Sequence, residues 1–598
     1  MTISGNNSSI HAKSWVPYVI LSFLVILAYG PALFNTFVID DHYVLLDNAA
    51  VKSLKNIPSL FSRNYFNLFA EQSYRPVVSF SYMLDYRLWG LQLPWYHLHN
   101  LILHILNVLL VYVILSRIPN GSLLAFMTAG LFAVHTISGE PVNVISTRED
   151  LQVAFFLLLS LWCFVKILLG GKTFYRYILW TSCFLAVPAK ENGVTLPLLL
   201  AGAGLIIHGR RFYRDHKITC IGAMAAFLLS MIVRFIIMTS KVEAVGPLSL
   251  QGSLLEKGIK IVKIQGIYLQ SLAYLRPFLP NMGGEIISGS LDGDFIYGML
   301  SIVLLLCWAL FLRKRSAWIA LLFYAAAMIP VSNVFMTLYN PVAYRYIYFP
   351  ALGLYFLAGI SFNILVEKYK ISGRVLWPAL FLILAPQAVY SSFWSRYWRD
   401  EEALWKYQVS HTPEYYRPWA DLAAAQNNKG LYVEAEVSAK KALSLKPDYF
   451  YAWSALGYSQ LYQGSYNQAL ESFQKASEFP CVKSGRAEIF FGMGYAFEQT
   501  GRISDAEKYY EKVLELNPRH LGGMTNLAIL LIQTGDRDKA QNLLEKVIEI
   551  NPGDAEAHYN LALLFLQRGE KEKARSLLFR ALKIDPENSR IKNLSSRL

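Results

Sequence analysis

Long apolar runs dominate residues 1–395 and constrain this chain more than anything else in it. Crossing the hydrocarbon core of a bilayer takes about 20 apolar residues in a helix. Candidate runs lie near 16–35, 97–116, 121–138, 151–169, 174–189, 193–208, 217–238, 296–312, 316–332, 345–365 and 374–392. Eleven spans are therefore expected, and the first run reads as a retained anchor rather than a removed signal. Only 16% of the chain is charged, against about 25% in an ordinary soluble protein.

The formal charge of +14 invites a nucleic-acid reading, but its location argues against one. Arg210, Arg211, Arg214 and Lys217 form one cluster, Arg313–Arg315 a second, and Lys368, Lys370 and Arg374 a third. All sit in short connections between apolar runs, the positive-inside signature, and they suit anionic lipid. With the N-terminus inside, every such cluster falls on the inner side. An odd span count then places the C-terminal part outside. Asp40, Asp41, His135, Glu140, Lys190, Glu191 and Arg345 fall near that outer face. The two long outer segments, 36–95 and 239–295, could cover a lipid-linked substrate; the first is rich in aromatics suited to an interface. Cys163, Cys183, Cys220, Cys307 and Cys481 form neither a disulfide framework nor a CxxC pattern.

Residues 396–598 follow a different rule. Gly430, Gly464, Gly501, Gly535 and Gly569 recur mostly at a step of 34, with three extra residues between Gly464 and Gly501. Ala435, Ala469, Ala506, Ala540 and Ala574 each follow by five, and Pro413, Pro447, Pro480, Pro518, Pro552 and Pro586 mark the junctions. This period resembles the tetratricopeptide repeat, a helical hairpin that stacks into a solenoid with a groove. The fold class expected is all-α: a polytopic membrane bundle over 1–395, then an outward-facing repeat domain over 396–598 that binds protein.

An acidic pair beyond the first run, Asp40–Asp41, is costly at a bilayer edge and so reads as functional. Three roles fit it: a general base for a hydroxyl, a ligand for a divalent cation, or a helix N-cap. Asp47 is a further acidic residue of the same segment. His97, Asn100 and His104 share one helical face, with interhelical hydrogen bonding the plain reading of His104. Lys190 and Glu191 are adjacent opposite charges that could hold a pocket together.

In order along the chain, FVIDDHYVLLDN, YRPVVSFSYMLDYRLWG, WYHLHNLILHILN, FAVHTISGEPVNVISTRED, AKENGVTLPLLL and YRYIYFPALGL precede the repeats. Together they resemble the transmembrane and tetratricopeptide-repeat family of O-mannosyltransferases. That resemblance implies a C-type glycosyltransferase fold and a polyprenyl-phosphate sugar donor. It aligns Asp40 and Asp41 with the family's acidic pair, the candidate catalytic groups. Arg345 becomes the leading candidate for the donor phosphate, with Arg75, Arg148 and Lys190 next. His97 and His135 are expected to touch substrate or order Asp41, with Glu140 beside His135 and Glu191 beside Lys190 in support. The family's acidic residue before the arginine is here Tyr344, so Arg345 needs a partner from elsewhere. Metal use stays open, with Asp40 and Asp41 as its candidate ligands. The partners expected are the lipid-linked donor, membrane lipid and an exported acceptor protein held by the repeats. A glycan or lipid acceptor, a transporter and a non-enzymatic scaffold are the competing readings. NxS matches stand at Asn6, Asn7, Asn120 and Asn593, few for so long a chain, and a bacterial inner membrane with periplasmic repeats is expected over an endoplasmic reticulum membrane with lumenal ones.

Overall fold

The computed structural model describes residues 15–46, 48–69, 73–118, 121–239, 253–274, 279, 287, 289–334 and 340–597, so Asp47 lies outside the described residues. The described chain is helical without strands, and it falls into two compact units, Met1–Leu404 and Trp405–Leu598.

Among the described residues of the first unit, eight helices are long and apolar enough to cross a membrane: Val16–Phe34, Leu93–Leu115, Arg148–Leu168, Glu191–His208, Lys217–Met238, Gly293–Leu312, Ala351–Lys368 and Gly373–Trp398. A ninth is the pair Ser122–Val134 and Thr136–Asn143, bent by 52° at His135. The eleven expected spans differ from this count for a simple reason. Phe174–Ala189 has 16 residues, and Arg315–Val331 is likewise a shorter apolar helix. Phe174–Ala189 nonetheless returns to the end from which Arg148–Leu168 starts, because Lys190 at its end lies 2.6 Å from Asp150 at that start. Outward faces are apolar, with Phe235, Phe311 and Leu382 among the exposed side chains, as a hydrocarbon surround requires.

The first outer segment is a run of short helical pieces, Ala49–Lys52, Leu54–Phe61, Tyr65–Phe69 and Pro76–Trp89. Tyr65, Phe69, Tyr74, Val78 and Tyr82 bury their side chains together there. The second holds a 19-residue helix, Leu254–Leu272, started by a capping box between Ser253 and Glu256. It crosses Gly293–Leu312 closely: a side chain at Gly266 would strike the backbone of Gly298.

In the second unit, five helix pairs stack in order from Tyr416–Asn428 and Tyr432–Leu445 to Ala555–Gln567 and Lys571–Ile584, followed by Ser589–Ser595. Gly430, Gly464, Gly501, Gly535 and Gly569 all carry positive φ, from 75° to 100°, the turn conformation that ends the first helix of each pair. The alanine five residues later is buried in every pair. The three extra residues lengthen a single helix, Lys483–Gln499, to 17 residues against 13 in Phe450–Tyr462. Gly457 makes room for a ring: a Cβ there would lie 2.7 Å from Phe473.

Candidate active site

Asp40 and Asp41 are neighbours in sequence and opposites in environment. Asp41 is fully buried. Its Oδ2 accepts the Val38 N–H at 3.1 Å, and its Oδ1 accepts the Ser146 N–H at 2.6 Å. Burial lifts its carboxyl to about 6, against the pull of those backbone donors. Asp41 thus ties the turn after the first span to the segment between Asn143 and Arg148.

Asp40 keeps an exposed edge, and its side chain makes no ion pair or hydrogen bond among the described residues. The protein crowding its other sides raises its carboxyl above the ordinary value. Arg345 and then Arg75 pull it down, and Glu149 pushes it up. Asp40 therefore stands within electrostatic reach of two arginines without being neutralised by either.

Those arginines belong to a network at the helix ends. Arg345 pairs with Glu140 through its guanidinium, and Glu140 also accepts the Arg345 backbone N–H at 3.0 Å. The partner missing at Tyr344 is thus supplied by Glu140, while Tyr344 is buried with its hydroxyl 3.2 Å from Ser271. The Arg345 side chain stays 19% exposed, and burial of its charge is outweighed by Glu140, which keeps it firmly protonated. Arg75 lies 2.6 Å from Glu149 and 3.6 Å from Glu191. Lys190 lies 2.6 Å from Asp150 and 3.3 Å from Glu149. Burial works against its charge, but the two carboxylates raise its ammonium above the ordinary lysine value. Arg345 and Lys190 also both approach the ring of Tyr346, at 5.1 and 5.6 Å from its centroid. A cavity of about 10 Å³ between Asp150, Asn192, Thr195, Arg345 and Tyr346 has room for roughly one water.

Several expectations are corrected by this geometry. Lys190 and Glu191 do not pair with each other: Glu191 meets Arg234 at 2.9 Å as well as Arg75. Arg148 faces away from the network. It is fully buried and donates to Asn100 Oδ1 (2.8 Å), Ser81 Oγ (3.1 Å), Asp85 Oδ2 (2.6 Å) and the Tyr96 carbonyl (3.1 Å). Asn100 is spent as well, donating to the Val144 carbonyl at 2.9 Å. His97 is fully buried beside the Asn35 backbone rather than at Asp41. His135 lies 3.0 Å from the Leu272 carbonyl and accepts from the Ile137 N–H at 3.2 Å, so it holds the bend rather than a substrate. His104 meets the Tyr348 hydroxyl at 2.7 Å between helices. Asp40 and Asp41 do not present a shared cage for an ion, because both Asp41 oxygens take backbone donors. Among the described residues no group of three or more His, Cys, Asp and Glu side chains is arranged to hold a metal ion.

Glu149, Asp150, Arg234 and Tyr346 belong to the network and were not singled out from the sequence. Glu149 and Asp150 had a signal. An acidic pair in the first turn of a span is as costly at a bilayer edge as Asp40–Asp41.

Tetratricopeptide-repeat family models match residues 454–520, 497–547 and 531–598. A Caenorhabditis elegans protein named a protein O-mannosyl-transferase is 25% identical over 71% of this chain and 62% of its own length. Protein O-mannosyl-transferase TMTC3 of Mus musculus is 22% identical over 70% of this chain and 49% of its own. Human TMTC4, with the same naming, is 23% identical over 68% and 63%. The chain is thus similar to these proteins through most of its length and carries tetratricopeptide repeats at its C-terminal end. It spans about half to three fifths of the length of these relatives.

Proposed function

We propose that the chain is a membrane glycosyltransferase that moves a sugar from a polyprenyl-phosphate donor to a serine or threonine hydroxyl of an exported protein. Division of labour follows the two halves of the sequence: residues 1–395 carry the chemistry, and 396–598 hold the acceptor outside the inner membrane, in the periplasm. The naming of the relatives supports transfer of mannose to protein. The single observation that carries the mechanism is Asp40, a carboxylate without an ion pair among the described residues and within electrostatic reach of the partly exposed guanidiniums of Arg345 and Arg75.

Transfer needs a base for the acceptor hydroxyl and positive charge for the departing phosphate. Asp40 takes the hydroxyl proton as the acceptor oxygen bonds to the anomeric carbon. The bond from that carbon to the phosphate oxygen breaks, and polyprenyl phosphate leaves with the electron pair. One displacement without a covalent intermediate inverts the anomeric configuration. Arg345 receives the phosphate on its open side, because the cavity behind it is too small for a sugar. Arg75 adds further positive charge within reach of Asp40, and Lys190 adds its own near the ring of Tyr346. Glu140, Glu149, Asp150 and Glu191 keep these cations in place.

The test uses the purified full chain in vesicles, supplied with polyprenyl-phosphate mannose or glucose and a pool of exported proteins. Mass spectrometry should find added hexose on serine or threonine only when chain and lipid-linked donor are both present. Hexose found solely on glycan or lipid would overturn the protein acceptor, and no transfer from any lipid-linked sugar would overturn the reading.

A further inference from the structure

The backbone immediately before Asp40 is strained, and a distant carboxylate holds it there. Ile39 has φ of +54°, the left-handed region that a β-branched residue rarely enters, because its Cβ crowds the backbone. Such a conformation persists only where surrounding contacts over-determine it, and it tends to mark functional sites. Here the contacts are on hand. Glu401 Oε1 accepts the Ile39 N–H at 3.1 Å, across 362 residues of sequence. Three residues earlier, both Thr36 donors reach the Arg399 carbonyl, the N–H at 2.8 Å and the hydroxyl at 3.1 Å. Three bonds thus fasten residues 36–39 to the segment that follows Gly373–Trp398. On the other side, Asp41 fastens its own turn to Ser146. Among the described residues of this turn, Asp40 is the carboxylate left without such a bond, and the strained residue fixes the direction in which it leaves the backbone.

We infer that Glu401 is a positioning residue for the transfer reaction: by holding Ile39 in its left-handed conformation it aims Asp40 at the acceptor hydroxyl. The inference rests on the reading of Asp40 as the base. Glu401 touches neither substrate nor reacting atoms in this account. It is half-buried, and its carboxylate opens the helix Glu401–His411, where a negative charge is favoured by the helix end. Its neighbours Asp400 and Asp40 are like charges, so Glu401 is held at this place by the Ile39 N–H and not by a cation. Acceptor capacity, rather than charge, is then what the position requires.

This makes an unusual prediction about rescue. Glu401→Ala removes the acceptor; Glu401→Gln keeps an oxygen at the same place. Ile39→Gly removes the Cβ that makes the conformation costly, so the loop no longer needs its clamp. Using the full chain with a polyprenyl-phosphate sugar, Glu401→Ala should lower kcat by about 10–100-fold with the donor KM held, the loss expected of a misaimed group. Glu401→Gln should stay within about 3-fold of the parent, since one neutral bond replaces a charge-assisted one. Ile39→Gly added to Glu401→Ala should restore about 10-fold of the loss. Hydrogen exchange supplies a readout that does not depend on catalysis: the Ile39 amide should lose protection in Glu401→Ala and keep it in Glu401→Gln. An Ile39 amide equally protected in Glu401→Ala overturns the inference, as does a kcat loss shared by Glu401→Gln or not relieved by Ile39→Gly. Asp40→Asn, measured alongside, separates the two layers. A fully active Asp40→Asn sinks the base assignment and with it the aiming role; an inactive Asp40→Asn with a fully active Glu401→Ala sinks the aiming role alone.

Discussion

Two arginines in the membrane unit have the same chemistry and opposite fates. Arg148 is closed on every side, with no accessible surface and four oxygen partners. Arg345 has one carboxylate partner, Glu140, and keeps 19% of its side chain open. The first arrangement resembles a buried ion pair that specifies a packing. A charge there has no capacity left for a ligand. The second keeps its charge, has free donors in a fixed fork, and sits near a carboxylate, Asp40, that nothing neutralises. Net charge does not separate the two clusters; what separates them is how many of their donors and acceptors are already used.

The largest effect expected is at the closed site. Arg148→Met leaves Asp85 buried without its cation, which costs about 3–5 kcal/mol. Thermal unfolding of the purified chain should show a large loss of stability, with transfer lost only as the fold is lost. A well-folded, inactive Arg148→Met would break the comparison.

Arg345→Lys should behave in the reverse way. The charge remains for Glu140, but the planar fork that meets a phosphate is gone. Loss of a charge-assisted bond of about 1.5–3 kcal/mol lowers kcat/KM for the donor by roughly 10–100-fold, with unfolding little changed. Initial rates at varied donor would show it.

Acidification sharpens the contrast further. Crowding raises Asp40, so this base takes its proton above the usual carboxylate value of about 3.9. Asp85 is held below its ordinary value: burial opposes its charge, but Arg148 and His99 outweigh it. Stability from a depressed carboxylate is present above its unfolded value and lost only as pH falls through the lower folded one. Asp41 works the other way, its contribution being full at low pH and lost as pH rises through about 6. Both groups favour the fold at mildly acid pH, so transfer should fail on acidification before unfolding begins. Coincident loss of rate and structure would contradict this.

The smallest effect belongs to His99. It meets Asp85 at 2.9 Å and is 32% exposed, so it adds to the closed cluster from its rim. His99→Gln should cost no more than about 1 kcal/mol, measured by the same unfolding experiment, and leave transfer unchanged.

The sequence made the repeats plain because their signal is local and recurs. A glycine at the end of one helix and an alanine five residues on report a turn and a close contact, and the five positive φ values show why glycine is there. Two residues expected near one another, Arg345 and Glu140, do come together. Partners were not legible. Glu140 and Arg345 are 205 residues apart, and nothing in AYRYIYFP points to the bend after His135. Nor could adjacency decide between Asp40 and Asp41, because a turn with a strained Ile39 sends one inward and the other out. TRED drew notice for its arginine, whereas its two carboxylates are the groups that meet the open network. Helix length alone does not decide a span: Phe174–Ala189, among the eleven runs expected, has only 16 residues yet ends beside Asp150.

Single-turnover transfer by Asp40→Asn in the full chain tests the account most directly. The neutral amide has nearly the same shape but cannot take a proton, and removal of a general base costs about 10²–10⁴ in rate. A rate lowered by that factor, with donor binding and unfolding temperature unchanged, is what the account predicts. A parental rate from Asp40→Asn would contradict it.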